Sequence, residues 1–326
     1  MNATLTTAAS MTAALPSFEQ IRDAAARIAP YAHITPVLRS AALDALSGAE
    51  LHFKCENLQH GGAFKFRGAC NAVWALTDAQ AAHGVVTHSS GNHGNALALA
   101  AGTRGIAAHV VVPEGAVRAK VEAIERAGAI LHRCAPTQAA REAMSAEVQR
   151  TTGAVLVHPY ADTMVMAGQG TLALELLQQV AGLDALITPV GGGGLASGVA
   201  IAAHGINPAL TLFGAEPQGA DDAAQSLTRG TRVTTVVPDT ICDGLRALIG
   251  EPNLDALRAH RVDVITVSDA ETIAAMQWLW SELKLVVEVS SATVLAAILQ
   301  QRERFAGRRV GVVLTGGNVD LHALPW

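Results

Sequence analysis

From about residue 50 onward, short β-branched and apolar runs alternate with longer stretches whose apolar positions recur at helical spacing. The runs predict strands over 51–55, 84–88, 108–112, 130–133, 154–158, 185–189, 210–215, 263–267, 285–289 and 310–314. Between them the spacing predicts helices over 65–76, 92–103, 117–127, 137–150, 171–180 and 195–204, a late helix running through Trp278, and one from Thr293. Regular strand–helix alternation implies an α/β fold of parallel sheets with right-handed crossovers and helices on both faces. In such sheets ligands gather at the carboxyl ends of the strands. The first 16 residues carry no Lys or Arg and no continuous apolar core, so they read as a frayed tail and not as a secretion signal.

Composition narrows the picture. The chain has 326 residues, which exceeds the usual size of one domain and leads to an expectation of two. Half the residues are hydrophobic but only 4% are aromatic, so Ala, Val, Leu and Gly must fill the interior. That suits helices packed closely on parallel strands. The net charge of −5 is spread without long like-charge runs, which argues against a nucleic-acid partner. The uncharged stretch 185–203 is long enough to span a bilayer, but Pro189 and five glycines within it fit a strand, a turn and a helix better, so no membrane association is expected. Four scattered cysteines without a C-x-x-C pair read as buried thiols in a reducing, cytoplasmic setting.

Four motifs fall at predicted strand ends. Gly61-Gly62-Ala63-Phe64-Lys65-Phe66-Arg67-Gly68-Ala69 puts a lysine at a helix start, where anions are favoured. That suits an imine-forming lysine of lowered pKa, with a solvated surface lysine as the plain alternative. Ser89-Ser90-Gly91-Asn92-His93-Gly94-Asn95 opens a helix with small residues, either a carboxylate cradle or an ordinary helix cap. Gly191-Gly192-Gly193-Gly194-Leu195 is neither a dinucleotide fingerprint nor a Walker loop. Four consecutive glycines at a helix start favour a phosphate over a mere tight turn. Leu314-Thr315-Gly316-Gly317-Asn318 follows the last strand and would set a hydroxyl against a heterocycle.

In this order and combination, from Ile34-Thr35-Pro36-Val37-Leu38 to Asn318, the motifs resemble the fold-type II pyridoxal-phosphate (PLP) enzymes, closest to the serine racemase and serine/threonine dehydratase group. The resemblance implies a tryptophan-synthase-β-like α/β fold: two open, mostly parallel α/β/α domains with the cofactor in the cleft between them. The larger domain would comprise 1–74 and 158–326, and a smaller closing domain 75–157. By the same resemblance Lys65 bonds the cofactor aldehyde, Phe64 packs on its ring, and Asn92 binds the ring 3′-oxygen. Gly191, Gly192, Gly193, Gly194 and Leu195 would hold the phosphate, and Thr315 would face the pyridine nitrogen. A neutral hydroxyl there makes the ring a weaker electron sink, which suits loss of a β-leaving group.

The implied reaction is elimination of water and ammonia from a small β-hydroxy amino acid, giving a 2-oxo acid. Ser89, Ser90, Gly91, Asn92 and His93 would clamp the substrate carboxylate. Ser90 also matches the serine that returns a proton on the opposite face in serine racemase, which keeps an amino-acid racemase open. A catalytically silent PLP carrier is the third reading, against which an intact Lys65 argues. Glu216, the Ala220 carbonyl and Asp222 match the racemase segment that binds a divalent cation, with Mg²⁺, Ca²⁺ or Mn²⁺ suited to such oxygen donors. A homodimer is expected from the family.

Three positions depart from the group: Ala63 and Ala247 replace serines, and Tyr160 replaces an asparagine near the substrate. These weaken serine as the best substrate. Arg141 aligns with a racemase arginine that reaches a second carboxylate, making 3-hydroxyaspartate a candidate, although an exposed helix charge is the plain alternative. Tyr160 and Ala247 leave a bulkier β-substituent open as well. His52, His60, His83, His109, His132 and His204 show no paired spacing, and Trp278 and Trp280 read as packing or interface residues. Only eight residues follow Asn318, so a C-terminal effector domain is not expected.

Overall fold

The computed structural model describes residues 14–116 and 118–326; the tail expected over the first 16 residues lies mostly outside these. The first part of the chain runs α1 (Phe18–Ile28), β1 (Val37–Leu38), α2 (Ala41–Ser47), β2 (Glu50–Cys55), α3 (Lys65–Ala75) and α4 (Asp78–Ala81). A second group follows: β3 (Val85–Thr87), α5 (Asn92–Arg104), β4 (Ala108–Pro113), α6 (Arg118–Arg126), β5 (Ile130–Cys134), α7 (Gln138–Thr152) and β6 (Val155–Leu156). The rest is α8 (Thr163–Gln179), β7 (Ala185–Pro189), α9 (Gly194–Ile206), β8 (Thr211–Pro217), α10 (Asp222–Arg229), α11 (Glu251–Ala259), β9 (Asp263–Val267), α12 (Asp269–Leu283), α13 (Val289–Gln300), α14 (Arg302–Phe305) and β10 (Arg309–Leu314).

The strands form two sheets. One has six strands in the order β1-β2-β10-β7-β8-β9, and the other four in the order β5-β4-β3-β6. Every pairing is parallel except the short edge strand β1 on β2. Because β10 inserts between β2 and β7, the chain's last strand brings its exit loop beside those of β2 and β7. The six-stranded sheet is covered on one side by α12 and α13, and on the other by α1, α8 and α9. Close helix contacts use missing side chains: a Cβ on Gly170 would sit 2.6 Å from the Gly198 carbonyl oxygen.

Three expectations fail, each for a tertiary reason. Residues 285–289 are not a strand; they are an irregular crossing, buried only at Val287 and Glu288, that ends in the start of α13, with the Glu288 N–H donating to the Gly316 carbonyl at 2.9 Å. The helix expected from residue 171 begins at Thr163, where the Asp162 carboxylate accepts from the Met164 and Val165 N–H groups. The expected strand 154–158 pairs only through Val155 and Leu156, because the chain then turns through Pro159 into the cleft. Trp280 does pack inward, donating its indole N–H to the Val287 carbonyl at 2.9 Å, while Trp278 is exposed.

Candidate active site

Lys65 is the first residue of α3, and its position is fixed from behind. The Phe64 N–H donates to the Thr315 carbonyl at 3.0 Å, and Ala63 bridges Gly316, so the lysine is pinned to the exit of β10. Its Nζ donates to the Pro159 carbonyl at 3.1 Å and lies 5.0 Å from the centre of the Phe64 ring. Burial brings its pKa down to about 8, with Glu288 opposing the shift. The amine is therefore neutral in a useful fraction of molecules near neutral pH, which a nucleophilic or proton-accepting lysine needs.

Asn92 starts α5. Its Nδ2 donates to both Glu288 carboxylate oxygens, at 3.1 and 3.0 Å, and its Oδ1 accepts from Asn318 Nδ2 at 3.0 Å. Asn318 also donates to the Gly61 carbonyl at 2.7 Å, so one amide ties together the loops before α3, before α5 and after β10. Glu288 is buried, and burial pushes its carboxyl up to about 7 despite the Asn92 hydrogen bond. Neither Glu288 nor the linking role of Asn318 was anticipated. The signal for the first was a lone carboxylate inside an apolar run, Leu285-Val286-Val287-Glu288-Val289.

Ser89, Ser90 and Gly91 form the turn between β3 and α5, half-buried at the cleft. Gly94 cannot carry a side chain, since a Cβ would lie 2.0 Å from the Ser89 carbonyl oxygen; the helix can then start directly under the turn. His93 is buried beneath it, with Nε2 3.3 Å from the Val157 carbonyl and Nδ1 without a partner among the described residues. Burial and Lys65 hold its pKa well below the usual histidine value.

The loop Gly191–Gly194 and Leu195 are all buried between β7 and α9. Gly193 takes φ 88°, a left-handed conformation open to glycine. Among the described residues no oxygen accepts a hydrogen bond from the N–H of Gly191, Gly192 or Gly193, and the first N–H groups of α9 have no intrahelical partner. Buried orphan donors at the positive end of a 13-residue helix fit a phosphate. The residues present therefore suit a phosphorylated cofactor whose other end reaches Lys65. Tyr160 roofs the loop: a Cβ on Gly192 would meet its ring at 2.4 Å. Thr315 is buried at the end of β10, its N–H donating to Ser291 Oγ at 2.6 Å.

Arg141, on α7, has a buried Nε without a partner among the described residues. It lies on the helix that covers β3 and β4 of the four-stranded layer. His158 stands between the rings of His88 and Tyr160, 5.2 Å from the first and 4.6 Å from the second, and burial keeps it neutral down to about pH 4. Beyond Asn92 a cavity of about 220 Å³ is lined by Asn95, Lys120, Arg126 and Asn318 among others. Away from the cleft, the histidines do pair in space: His109 Nδ1 lies 2.9 Å from His132 Nε2, and His204 Nδ1 lies 3.0 Å from His260 Nδ1.

The family model described as pyridoxal-phosphate dependent enzyme matches residues 28–316. The chain belongs to that family. It is 47% identical over 312 residues to a β-hydroxyaspartate dehydratase of Paracoccus denitrificans, covering 96% of this chain and 99% of the relative. It is 50% identical over 309 residues to a serine racemase of Arabidopsis thaliana, covering 93% of each. Among solved structures, maize serine racemase superposes with a TM-score of 0.92 at 46% identity, over 94% of this chain and 95% of that one. The α/β fold with parallel sheets is thus that of the fold-type II PLP enzymes.

Proposed function

We propose that this PLP enzyme is an ammonia-lyase acting on 3-hydroxyaspartate, which it converts to a 2-oxo acid and ammonia. The observation that carries this reading is the buried Nε of Arg141, which has no partner among the described residues. A buried guanidinium N–H without a partner is costly, and a second substrate carboxylate would relieve it. The resemblance to a β-hydroxyaspartate dehydratase agrees with it.

Bound pyridoxal phosphate would withdraw electrons from the substrate α-carbon. Everything else falls to side chains. Lys65 would take the α-proton, for which a pKa of about 8 suits it. The Ser89–His93 turn offers its helix-start N–H groups to the α-carboxylate, Asn92 orients the ring oxygen, and the glycine loop anchors the phosphate. The β-hydroxyl would leave as water on receiving the proton that Lys65 took from the α-carbon, and the unsaturated amine, once released, would hydrolyse to the 2-oxo acid and ammonia. Residues 75–157 would close over the substrate as a unit, excluding water during proton transfer.

Amino-acid racemisation is the second reading, favoured by Ser90 at the turn and by the serine racemase relatives. One incubation separates the two. The PLP-loaded protein is given L- and D-serine, L-threonine and the four 3-hydroxyaspartate stereoisomers, while 2-oxo acid and enantiomer composition are followed. Oxo acid forming fastest from one hydroxyaspartate isomer is expected. Faster appearance of the opposite enantiomer of serine would move the protein to the racemases.

We also place a divalent cation at Glu216, the Ala220 carbonyl and Asp222. Both carboxylates are buried, and Glu216 already accepts from the Ala223 and Ala224 N–H groups at 3.0 and 2.9 Å. Among the described residues no three His, Cys, Asp or Glu side chains gather, so the carbonyl and water must complete the shell. Metal analysis of the purified protein, and a fall in melting temperature with chelator, test the site. A homodimer in the cytoplasm is the assembly and location we favour; the four buried free thiols and the absence, among the described residues, of a helix long and apolar enough to cross a membrane are consistent with it.

A further inference from the structure

The four-stranded layer meets the six-stranded one along the cleft, and one ion pair crosses that boundary among the described residues: Lys120 of α6 with Asp243. Otherwise α6 packs on its own layer, burying Val121 and Ile124 against Val110 and Val112 of β4. Asp243 opens a short 3₁₀ turn, Asp243–Leu245, that touches both ends of the site. At one end the Leu245 Cα packs against the glycine loop, 3.0 Å from where a Cβ of Gly191 would stand. At the other the Gly244 N–H donates to Ser290 Oγ at 3.0 Å, two residues beyond Glu288. A Cβ on Gly244 would stand 3.7 Å from Glu288 Oε1, and Lys120 lines the same cavity as Asn92, so both partners lie near the Asn92–Glu288 contact. A shift of α6 is thereby carried straight to the phosphate-binding loop and to the carboxylate that holds Asn92.

We propose that Lys120 and Asp243 are a positioning pair that holds the four-stranded layer closed across the cleft, setting the glycine loop and Asn92 for substrate. The proposal rests on the reading of the cleft as a PLP site. Neither residue touches substrate; both act through the turn and α6. Their partial exposure, 22% and 37%, limits the strength of the pair and also allows substitution without a buried defect.

The test compares wild type, Lys120→Met, Asp243→Asn and the charge-reversed double variant Lys120→Asp/Asp243→Lys as holoenzymes. Two quantities are read: KM and kcat on the best substrate of the panel, and hydrogen–deuterium exchange of the α6 segment. Each single variant is expected to raise KM and the α6 exchange rate by about fivefold, the strength of a good partly exposed pair, with kcat changed less than twofold or so. The double variant should return both quantities close to wild type. If a single variant does not fold, wild type in about 0.5 M salt should show the same rise in α6 exchange. Unchanged α6 exchange in the single variants and at high salt, or a double variant as impaired as the sum of the singles, overturns the pair. If wild type turns over no compound of the panel, the proposed reaction fails, and the exchange data still decide the pair.

Discussion

Replacing Glu288 with glutamine should make the cofactor-free protein more stable and shift the pH–rate profile of the enzyme. The carboxyl would titrate near 4.5 in the unfolded chain, but burial pushes it up to about 7 in the fold. Between those values the native state holds the extra proton, so stability falls as pH rises from 4.5 to 7. At about 1.4 kcal/mol per pH unit, the charge costs the fold on the order of 3 kcal/mol above pH 7. Glutamine keeps an oxygen to accept from Asn92 Nδ2 and carries no charge. The stability difference, variant minus wild type, should therefore be near zero at pH 4.5 and grow to about 3 kcal/mol by pH 8. Urea unfolding of the two proteins from pH 5 to 8 measures it. Taking the difference removes the contributions of every other titrating group. A difference that stays flat with pH would refute the argument, because it would mean the carboxylate is not desolvated in the fold. The effect on activity runs through Lys65: without the Glu288 charge its ammonium loses the one group that holds its pKa up, so its titration in the pH–rate profile should move below 8.

Lys65→Ala should abolish covalent retention of the cofactor and lower turnover by at least about 10⁴-fold while the melting curve of the cofactor-free protein stays close to wild type; substantial residual turnover in this variant would mean another base takes the α-proton. Acid should destabilise the protein through its histidines. His60, His88, His93, His109, His132, His158 and His260 all have pKa values depressed by burial, so their contribution is complete above about pH 6.5 and is lost as pH falls. His158, at about 4, accounts for up to about 3 kcal/mol of that loss, and a His158→Asn variant should show a shallower acid limb in urea unfolding between pH 6.5 and 4.

Strand 263–267 was legible to the residue, and the four motif loops all lie at the carboxyl ends where parallel-sheet logic puts them. Local periodicity and turn chemistry are enough for that. The two early helices were missed although their signals were present: Ser17 and Gln20 form a capping box on α1, and Ser40 caps α2. The apolar run 285–289 misled because its backbone carbonyls are taken by side chains, Val286 by Asn57 and Val287 by Trp280, and not by a neighbouring strand. The histidine pairs lie 23 and 56 residues apart, so no local spacing reveals them; adjacency of β4 and β5 makes the first and packing of α9 beside the end of α11 the second. Glu288 belongs to the same class. Its meaning depends on Asn92, 196 residues away.

The substrate turns on Arg141, and its test is a ratio, not a rate. The guanidinium sits on a helix of the four-stranded layer, its Nε buried and without a partner among the described residues. A hydrogen bond to a charged group is worth about 1.5–3 kcal/mol, so losing the contact to a β-carboxylate should lower kcat/KM by roughly 10- to 150-fold. Serine has no such carboxylate. Arg141→Ala should thus depress hydroxyaspartate turnover by that factor and leave serine elimination within about twofold. Arg141→Lys keeps the charge and loses the planar fork, so it should fall between the two. If alanine depresses both substrates equally, Arg141 serves closure of the cleft and not recognition, and Tyr160, whose ring packs on the glycine loop, becomes the residue to test for substrate choice.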